Sequence, residues 1–259
     1  MILHVPHASR EIPERYRQQI VLPDNALHAE LTRMTDAYTD ELFVSPESHA
    51  IIFPLSRLLV DVERYADDDA EPMSAVGMGV IYTRTAHGEP LKRILQPQEI
   101  AHMRSRYYDT HHKALADAVQ AELAASQRAL IVDCHSFPSR PLPCDRDQSG
   151  ARPDICIGTD AFHTSLLESE RLQKFFRNRG YTVDIDRPYA GTIVPIDVLG
   201  KDSRVASIMI EINRALYMNE VTGAKAGGYE RVKQDIQDAL HVLGNRSKDT
   251  PRRNDGTKW

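Results

Sequence analysis

The sequence of 259 residues predicts an α/β fold, a three-layer α/β/α sandwich built on a mixed, largely parallel sheet. Short apolar runs rich in branched residues alternate along the chain with helix-length segments whose apolar residues recur every three or four positions. Several of the apolar runs lack the polar–apolar alternation of a half-exposed strand. This pattern predicts strands that are buried on both faces by helices.

The predicted elements follow one another along most of the chain. The predicted strands are Ile2–Val5, Ala50–Phe53, Leu58–Val62, Val80–Tyr82, Ala129–Val132, Ile155–Ile157, Tyr181–Ile185 and Val205–Ile212. The predicted helices are Asn25–Phe43, Gln98–Ala125, Ser165–Arg179 and Tyr229–Leu243. Each helix carries an apolar stripe suited to pack on a sheet. We expect one domain over residues 1–244, followed by a polar, mobile tail over residues 245–259.

The charge balance argues against two classes of partner. The 32 Lys and Arg residues are outnumbered by 37 Asp and Glu residues, so the chain lacks the positive charge that attracts nucleic acid or anionic membranes. No apolar stretch approaches the roughly 18 residues of a membrane span, and no secretory signal is predicted. Cys134, Cys144 and Cys156 lack CxxC spacing and are expected to be free thiols, which favours a cytoplasmic location.

Polar residues at the ends of three predicted strands are candidates for chemistry, because open α/β sheets bind ligands there. His7 follows the first strand, Asp133 and His135 follow the strand that ends at Val132, and Glu211 lies within the last. A neutral histidine is a favoured zinc ligand, and Asp133 is placed to orient His135 if the strand continues that far. A glutamate in an apolar strand is costly to bury unless a metal or another cation faces it.

Each of these residues also has an interpretation in which its role is structural and not chemical. His7 is then a turn residue, Asp133 caps a helix or turn, and Glu211 forms a buried ion pair with an arginine such as Arg214. Asp36 lies within a helical pattern, which favours a solvated helix face.

Charged residues alternate with apolar ones over residues 56–64. At strand spacing, Arg57, Asp61 and Glu63 share one side of this segment and Arg64 lies at its end. The pattern favours an anion site, and a solvated edge strand has the same pattern.

Nine segments, in order, resemble the N-formylglutamate amidohydrolase family. The likeness extends to about residue 220, and nine segments in the right order are far more specific than any one of them. They are PHAS (6–9), TDAY (35–38), SRLLVDVER (56–64), GMGVIYTRT (77–85), YYDTHHKAL (107–115), VDCHSFPS (132–139), PDICIG (153–158), PYAGTIVP (188–195) and IEINRALYMNE (210–220).

This resemblance implies an α/β/α sandwich of phosphorylase/hydrolase type with one zinc ion per chain. The implied ligands are His7, Asp36 and His135, with the fourth position left for water. Glu11 is the alternative acidic ligand, and another divalent metal is the alternative ion. Glu211 is implied as the general base that carries a proton from the nucleophilic water to the leaving amine.

The implied reaction is hydrolysis of the amide bond of N-formyl-L-glutamate or a similar short N-acyl amino acid. The products are formate, or another small acid, and the free amino acid. Residues 1–244 then form a single catalytic domain. Forked guanidinium groups suit the carboxylates of such a substrate. The implied substrate-binding residues are Arg57, Arg64, His112, Arg140 and Arg214.

Two positions depart from the family's usual pattern. Glu63 replaces the usual Asn of the arginine segment, and Phe137 replaces the usual Met after DCHS. An acidic side chain beside the arginines weakens the expectation of a dianionic substrate. Two alternatives therefore stay open: a zinc carboxypeptidase-like or amidase activity on a peptide or cell-wall fragment, and non-catalytic binding of a metal or small molecule.

Overall fold

A computed structural model describes residues 1–45 and 48–244, and in this part of the chain six strands form one sheet. Neighbouring strands run parallel, except that β4 is antiparallel to β6. The predicted mixed, largely parallel sheet is therefore confirmed. The strands are β1 (Ile2–Val5), β2 (His49–Ile52), β3 (Ala129–Phe137), β4 (Ile155–Gly158), β5 (Val183–Ile185) and β6 (Val205–Asn213), in the spatial order β2-β1-β3-β6-β4-β5.

Helices cover both faces of the sheet. They are α1 (Glu14–Arg17), α2 (Asp24–Met34), α3 (Thr39–Phe43), α4 (Pro97–Met103), α5 (Thr110–Ser126), α6 (Leu166–Asn178) and α7 (Tyr229–Gly244). A π-helical segment, Arg104–Asp109, joins α4 to α5. Helices α3, α6 and α7 share one apolar core with the sheet, and α5 shares another. This arrangement gives the three layers of the predicted sandwich.

Alternation of side chains along the strands assigns each residue to one of these two cores. Leu3 and Val132 are buried with α3, α6 and α7, whereas Ile2, Ile131 and Val205 are buried with α5. Successive strand residues point to opposite faces. The even-numbered residues of β1 and the odd-numbered residues of β3 and β6 therefore face α5.

Three predicted elements differ from those observed. The helix predicted over Asn25–Phe43 is two helices, because the chain leaves α2 at Thr35 and Tyr38 adopts a left-handed conformation with φ of 68° before α3. Leu58–Val62 and Val80–Tyr82 are irregular instead of extended. The first of these segments turns because the N–H groups of Leu59 and Val60 both donate to the Ser56 carbonyl.

The long excursion between β2 and α4 is buried without joining the sheet. Leu58, Tyr82 and Leu91 are fully buried in one apolar cluster, and Phe53 and Val60 lie in a second. Together these clusters hold residues 56–64 against the ends of the strands.

Four further expectations concern the chain as a whole. The tail predicted for residues 245–259 lies outside the described residues, and the prediction of one domain over residues 1–244 stays a prediction. Cys134, Cys144 and Cys156 form no disulfide within the described part of the chain. Over the same residues, none of the helices is both long and apolar enough to cross a membrane.

Candidate active site

A cavity of about 510 Å³ opens at the ends of the central strands. Its walls come from the first strand's end, the α2–α3 connection, the excursion, β3 and β6, so residues distant in sequence meet there. The predicted site residues that line it are His7, Asp36, Arg57, Arg64, His135, Glu211 and Arg214.

Two histidines present the same ring nitrogen to the centre of this cavity. His7 donates from Nε2 to Asp61 Oδ1 at 2.8 Å, and His135 Nε2 lies 2.9 Å from Asp133 Oδ1. A carboxylate behind each ring fixes its orientation and tautomer, as outer partners do for metal-binding histidines. The Nδ1 atoms are left facing Asp36.

One oxygen of Asp36 lies between the two rings. Asp36 Oδ2 is 3.1 Å from His135 Nδ1 and 3.7 Å from His7 Nδ1. Its other oxygen, Oδ1, accepts a hydrogen bond of 2.7 Å from Arg214, which also donates to Ser136 Oγ. Although burial opposes ionisation, the neighbouring His135, His7 and Arg214 keep the pKa of Asp36 well below its ordinary value.

These three side chains fit a small divalent cation. Ligand atoms of His7, Asp36 and His135 all lie within 4.8 Å of one another. A tetrahedral zinc ion with bonds of about 2.0–2.2 Å holds its ligand atoms roughly 3.3–3.6 Å apart, close to the distances above. His7 Nδ1 is buried and has no hydrogen-bond partner among residues 1–45 and 48–244. A lone pair left unused in this way is what a metal ligand requires.

Glu211 lies beside this cluster on the face of β6 that points to α5. It pairs in register with His135 of β3, so both side chains leave the sheet on the same side. Burial raises the pKa of Glu211 to about 8, although the charge of His135 opposes this shift. Its Oε2 atom is buried with no hydrogen-bond partner in the described chain.

Arg57 and Arg64 line the cavity from the excursion. Arg57 donates to Asp61 Oδ2 at 2.8 Å, and Arg64 lies 3.4 Å from the same oxygen. Tyr82 donates to that oxygen as well, at 2.5 Å. Asp61 thus holds both arginines with one oxygen and His7 with the other, which sets two guanidinium groups beside the histidine.

The other sequence-predicted residues are placed differently. Arg214 is buried against Asp36, where it orients a carboxylate of the cluster. Arg140 is exposed and outside the cavity lining. His112 lies outside the lining too, with Nε2 at 2.8 Å from the Val62 carbonyl oxygen. Glu11 is exposed and does not join the cluster that contains Asp36.

His4, Glu63 and His111 lie near the cavity and were not singled out as ligand candidates from the sequence. His4 Nδ1 lies 2.9 Å from Asp133 Oδ1 and 3.1 Å from Glu63 Oε1, and its Nε2 lies 2.8 Å from His111 Nε2. The sequence does not mark His4 as a ligand candidate; its pairing in register with Asp133 of β3 brings it to the site. His111 faces inward from α5, so of the two adjacent helix histidines it is His111 that reaches the sheet.

An α/β/α fold whose central strand ends carry histidines, aspartates and a buried glutamate around a cavity defines an α/β protein with a candidate active site at the ends of its strands. A family model described as N-formylglutamate amidohydrolase matches residues 1–218. The chain therefore belongs to the N-formylglutamate amidohydrolase family, as its sequence segments predicted. This membership supports a hydrolase that acts as an amidohydrolase.

Two solved structures share this fold over almost their whole length. The structure of N-formylglutamate amidohydrolase from Ralstonia eutropha JMP134 superposes with a TM-score of 0.80 at 22% identity, covering 95% of this chain and 93% of that one. A gene product from Agrobacterium tumefaciens superposes with a TM-score of 0.57 at 18% identity, covering 94% and 91%. No curated protein matches the sequence significantly.

Proposed function

We propose that this protein hydrolyses the amide bond of N-formyl-L-glutamate, or of a similar short N-acyl amino acid, with a zinc ion held by His7, Asp36 and His135. One observation carries the proposal: Nδ1 of both histidines faces one oxygen of Asp36, while aspartates occupy both Nε2 atoms. When bound, zinc supplies a Lewis acid that polarises a carbonyl group and lowers the pKa of water.

Glu211 is the proposed general base. Its carboxyl group is buried at the cavity wall, and Oε2 has no partner among the described residues, so it is available to accept a proton from water. The same carboxyl group then donates that proton to the nitrogen of the leaving amino acid. A carboxyl group with a raised pKa holds the proton between the two transfers better than an ordinary glutamate does.

Arg57 and Arg64 are the proposed partners of the substrate carboxylates. Both guanidinium groups line the cavity and are fixed by Asp61, so they are already oriented when the substrate arrives. Arg140 and His112 stay predicted substrate contacts that depend on a movement of their side chains, since neither lines the cavity.

The test pairs metal content with product release. We expect at least one zinc ion per chain. We also expect the protein to release formate from N-formyl-L-glutamate, and this release should stop on chelation and return when zinc is added. Zinc with no formate release would retain a metal-dependent hydrolase and discard this substrate, in which case N-acetyl amino acids and peptides are assayed next. A protein that binds no divalent ion, and that none activates, would contradict the site.

Variants separate the metal ligands from the base. His135→Ala should lose turnover together with the zinc ion of this site, because one of its three ligands is removed. Glu211→Gln should keep zinc while turnover falls by roughly 100-fold or more, the usual effect of losing a general base. Glu89→Gln, the same change at an exposed position, is the control and should match the unmodified protein.

A further inference from the structure

A second group of potential ligands adjoins the cluster described above. Within the described residues, His4, Glu63 and Asp133 also bring one ligand atom each to within 4.8 Å of the others. His4 and Asp133 are fully buried, and the Glu63 side chain is 17% exposed at the cavity wall. One imidazole and two carboxylates are a ligand set that zinc and similar divalent ions accept.

The contacts of His4 leave one buried oxygen unsatisfied. Nδ1 of His4 has room for a single proton, but it faces Asp133 Oδ1 at 2.9 Å and Glu63 Oε1 at 3.1 Å. The geometry directs a hydrogen bond to Asp133, and Glu63 Oε1 then has no hydrogen-bond partner among the described residues although it is buried. A buried carboxylate oxygen without a partner is costly.

The other side of the ring offers His4 a second position for its proton. His4 Nε2 lies 2.8 Å from Nε2 of His111, so one of these two nitrogens donates to the other. When His4 is the donor, its single proton lies on Nε2 and the Nδ1 lone pair is left for a cation.

We propose that His4, Glu63 and Asp133 bind a second divalent cation beside the one held by His7, Asp36 and His135. The cation satisfies the Nδ1 lone pair and both carboxylates at once, and its charge offsets the two buried negative groups. This proposal rests on the proposed function at one point, because Asp133 contacts a ligand of each site. Asp133 Oδ1 lies 2.9 Å from both His4 Nδ1 and His135 Nε2. Asp133 thereby couples binding at the two sites.

The experiment counts zinc ions bound per chain by elemental analysis after equilibration with zinc and removal of free ion. The unmodified protein is expected to hold two. Glu63→Gln, which keeps the shape of the side chain and removes its charge, is expected to hold one, as is Glu63→Asn. His7→Ala is also expected to hold one, since it removes a ligand of the other site. Glu89→Gln is the matched control and should keep two.

The outcomes separate this proposal from the proposed function. One zinc in the unmodified protein that survives Glu63→Gln and is lost in His7→Ala overturns the second site and leaves the first intact. One zinc that is lost in Glu63→Gln and kept in His7→Ala supports a cation at His4, Glu63 and Asp133 and overturns the first site. An unchanged count of two in Glu63→Gln means that Glu63 only pairs with a charged His4, and the proposal is wrong.

Discussion

At the scale of single residues, the cavity is organised by aspartates that lie behind the histidines. Asp61 and Asp133 each occupy the Nε2 side of one ring, which leaves Nδ1 of His7 and of His135 pointing inward. Asp36 is in turn held by Arg214. Each of these three proposed metal ligands therefore has a partner that fixes its orientation, so little conformational freedom is lost when an ion binds.

Arg214→Lys tests this orienting role. The guanidinium group bonds Asp36 Oδ1, Ser136 Oγ and the Arg33 carbonyl oxygen together, and a lysine ammonium at the same position cannot reach all three. We expect zinc affinity, measured by competition with a chelator, to fall by about 10- to 100-fold, the effect of losing an outer partner of a metal ligand.

The control for that variant is Arg204→Lys. Arg204 pairs with Asp202 on the surface, where its side chain is 52% exposed, so the same substitution there should leave zinc affinity unchanged. Equal zinc affinity in Arg214→Lys and in the unmodified protein would show that Asp36 needs no orienting partner.

At the scale of elements, strands were predicted well where apolar runs lie in the sheet and poorly where they lie outside it. Val205–Ile212 is observed as β6 with one more residue. Leu58–Val62 has the same apolar character, but its burial comes from clusters beside the sheet, and the Asp61 N–H bonds the Val80 carbonyl. Apolar composition reports burial, and it does not report whether a neighbouring strand is present.

The close approach of β4 to the loop over residues 187–195 yields a prediction for Gly158. A Cβ atom at Gly158 would lie 2.2 Å from the Gly191 carbonyl oxygen and 2.3 Å from Met209 Cε. Because that loop contributes Tyr189 to the cavity, Gly158→Ala should lower both the free energy of unfolding, by about 1–3 kcal/mol, and the rate of turnover.

Urea unfolding of Gly158→Ala, beside Gly150→Ala as a control, measures this effect. A Cβ at Gly150 meets no described atom within 4 Å, so its substitution should change the free energy of unfolding by less than about 0.5 kcal/mol. If the two variants are equally stable, β4 and the loop have room to separate, and the predicted clash is wrong.

The excursion between β2 and α4 contains a buried lysine that links stability to pH. Lys92 donates to the carbonyl oxygens of Leu58 and Tyr82, and burial lowers its pKa to about 7. An unfolded lysine has a pKa near 10.4, so between these values the unfolded chain binds more protons than the folded chain. Stability should therefore rise with pH over this range, by up to about 1.4 kcal/mol per pH unit.

Denaturant unfolding of Lys92→Met and the unmodified protein between pH 7 and 9.5 measures this link. The methionine variant should lose the rise, whereas Lys201→Met, at an exposed position, should keep it. A rise of the same slope in Lys92→Met would assign the pH dependence to other groups.

At the scale of the whole molecule, the site could be predicted in part because it lies where three strands end. His7, His135 and Glu211 follow or interrupt apolar runs, and the structure brings all three to one cavity. Asp36 has no such signal, since it lies in a break that the helical pattern of α2 and α3 conceals, and only the family resemblance indicated it. His4 lies inside the apolar strand β1, where the sequence pattern does not distinguish it from a buried core residue.

Because the proposed ligands come from β1, β3 and the α2–α3 connection, a bound ion should stabilise the fold as a whole. An ion that binds only the folded chain adds about 2.7 kcal/mol at a free concentration 100-fold above its dissociation constant. For a protein of this size, that corresponds to a melting temperature higher by roughly 5–10 °C. Chelation of the zinc-loaded protein should remove this increase, and added zinc should restore it.

Differential scanning calorimetry of the unmodified protein and of His7→Ala, each with and without chelator, decides whether the effect belongs to the site. His7→Ala retains Asp133, Glu63 and His4, so a cation at the second site should leave it a smaller response to chelation. The double variant His7→Ala with Glu63→Gln should then show no response. If the melting temperature of a protein known to contain zinc is the same with and without chelator, the ion binds folded and unfolded chain alike, and the ligands are not assembled by the fold.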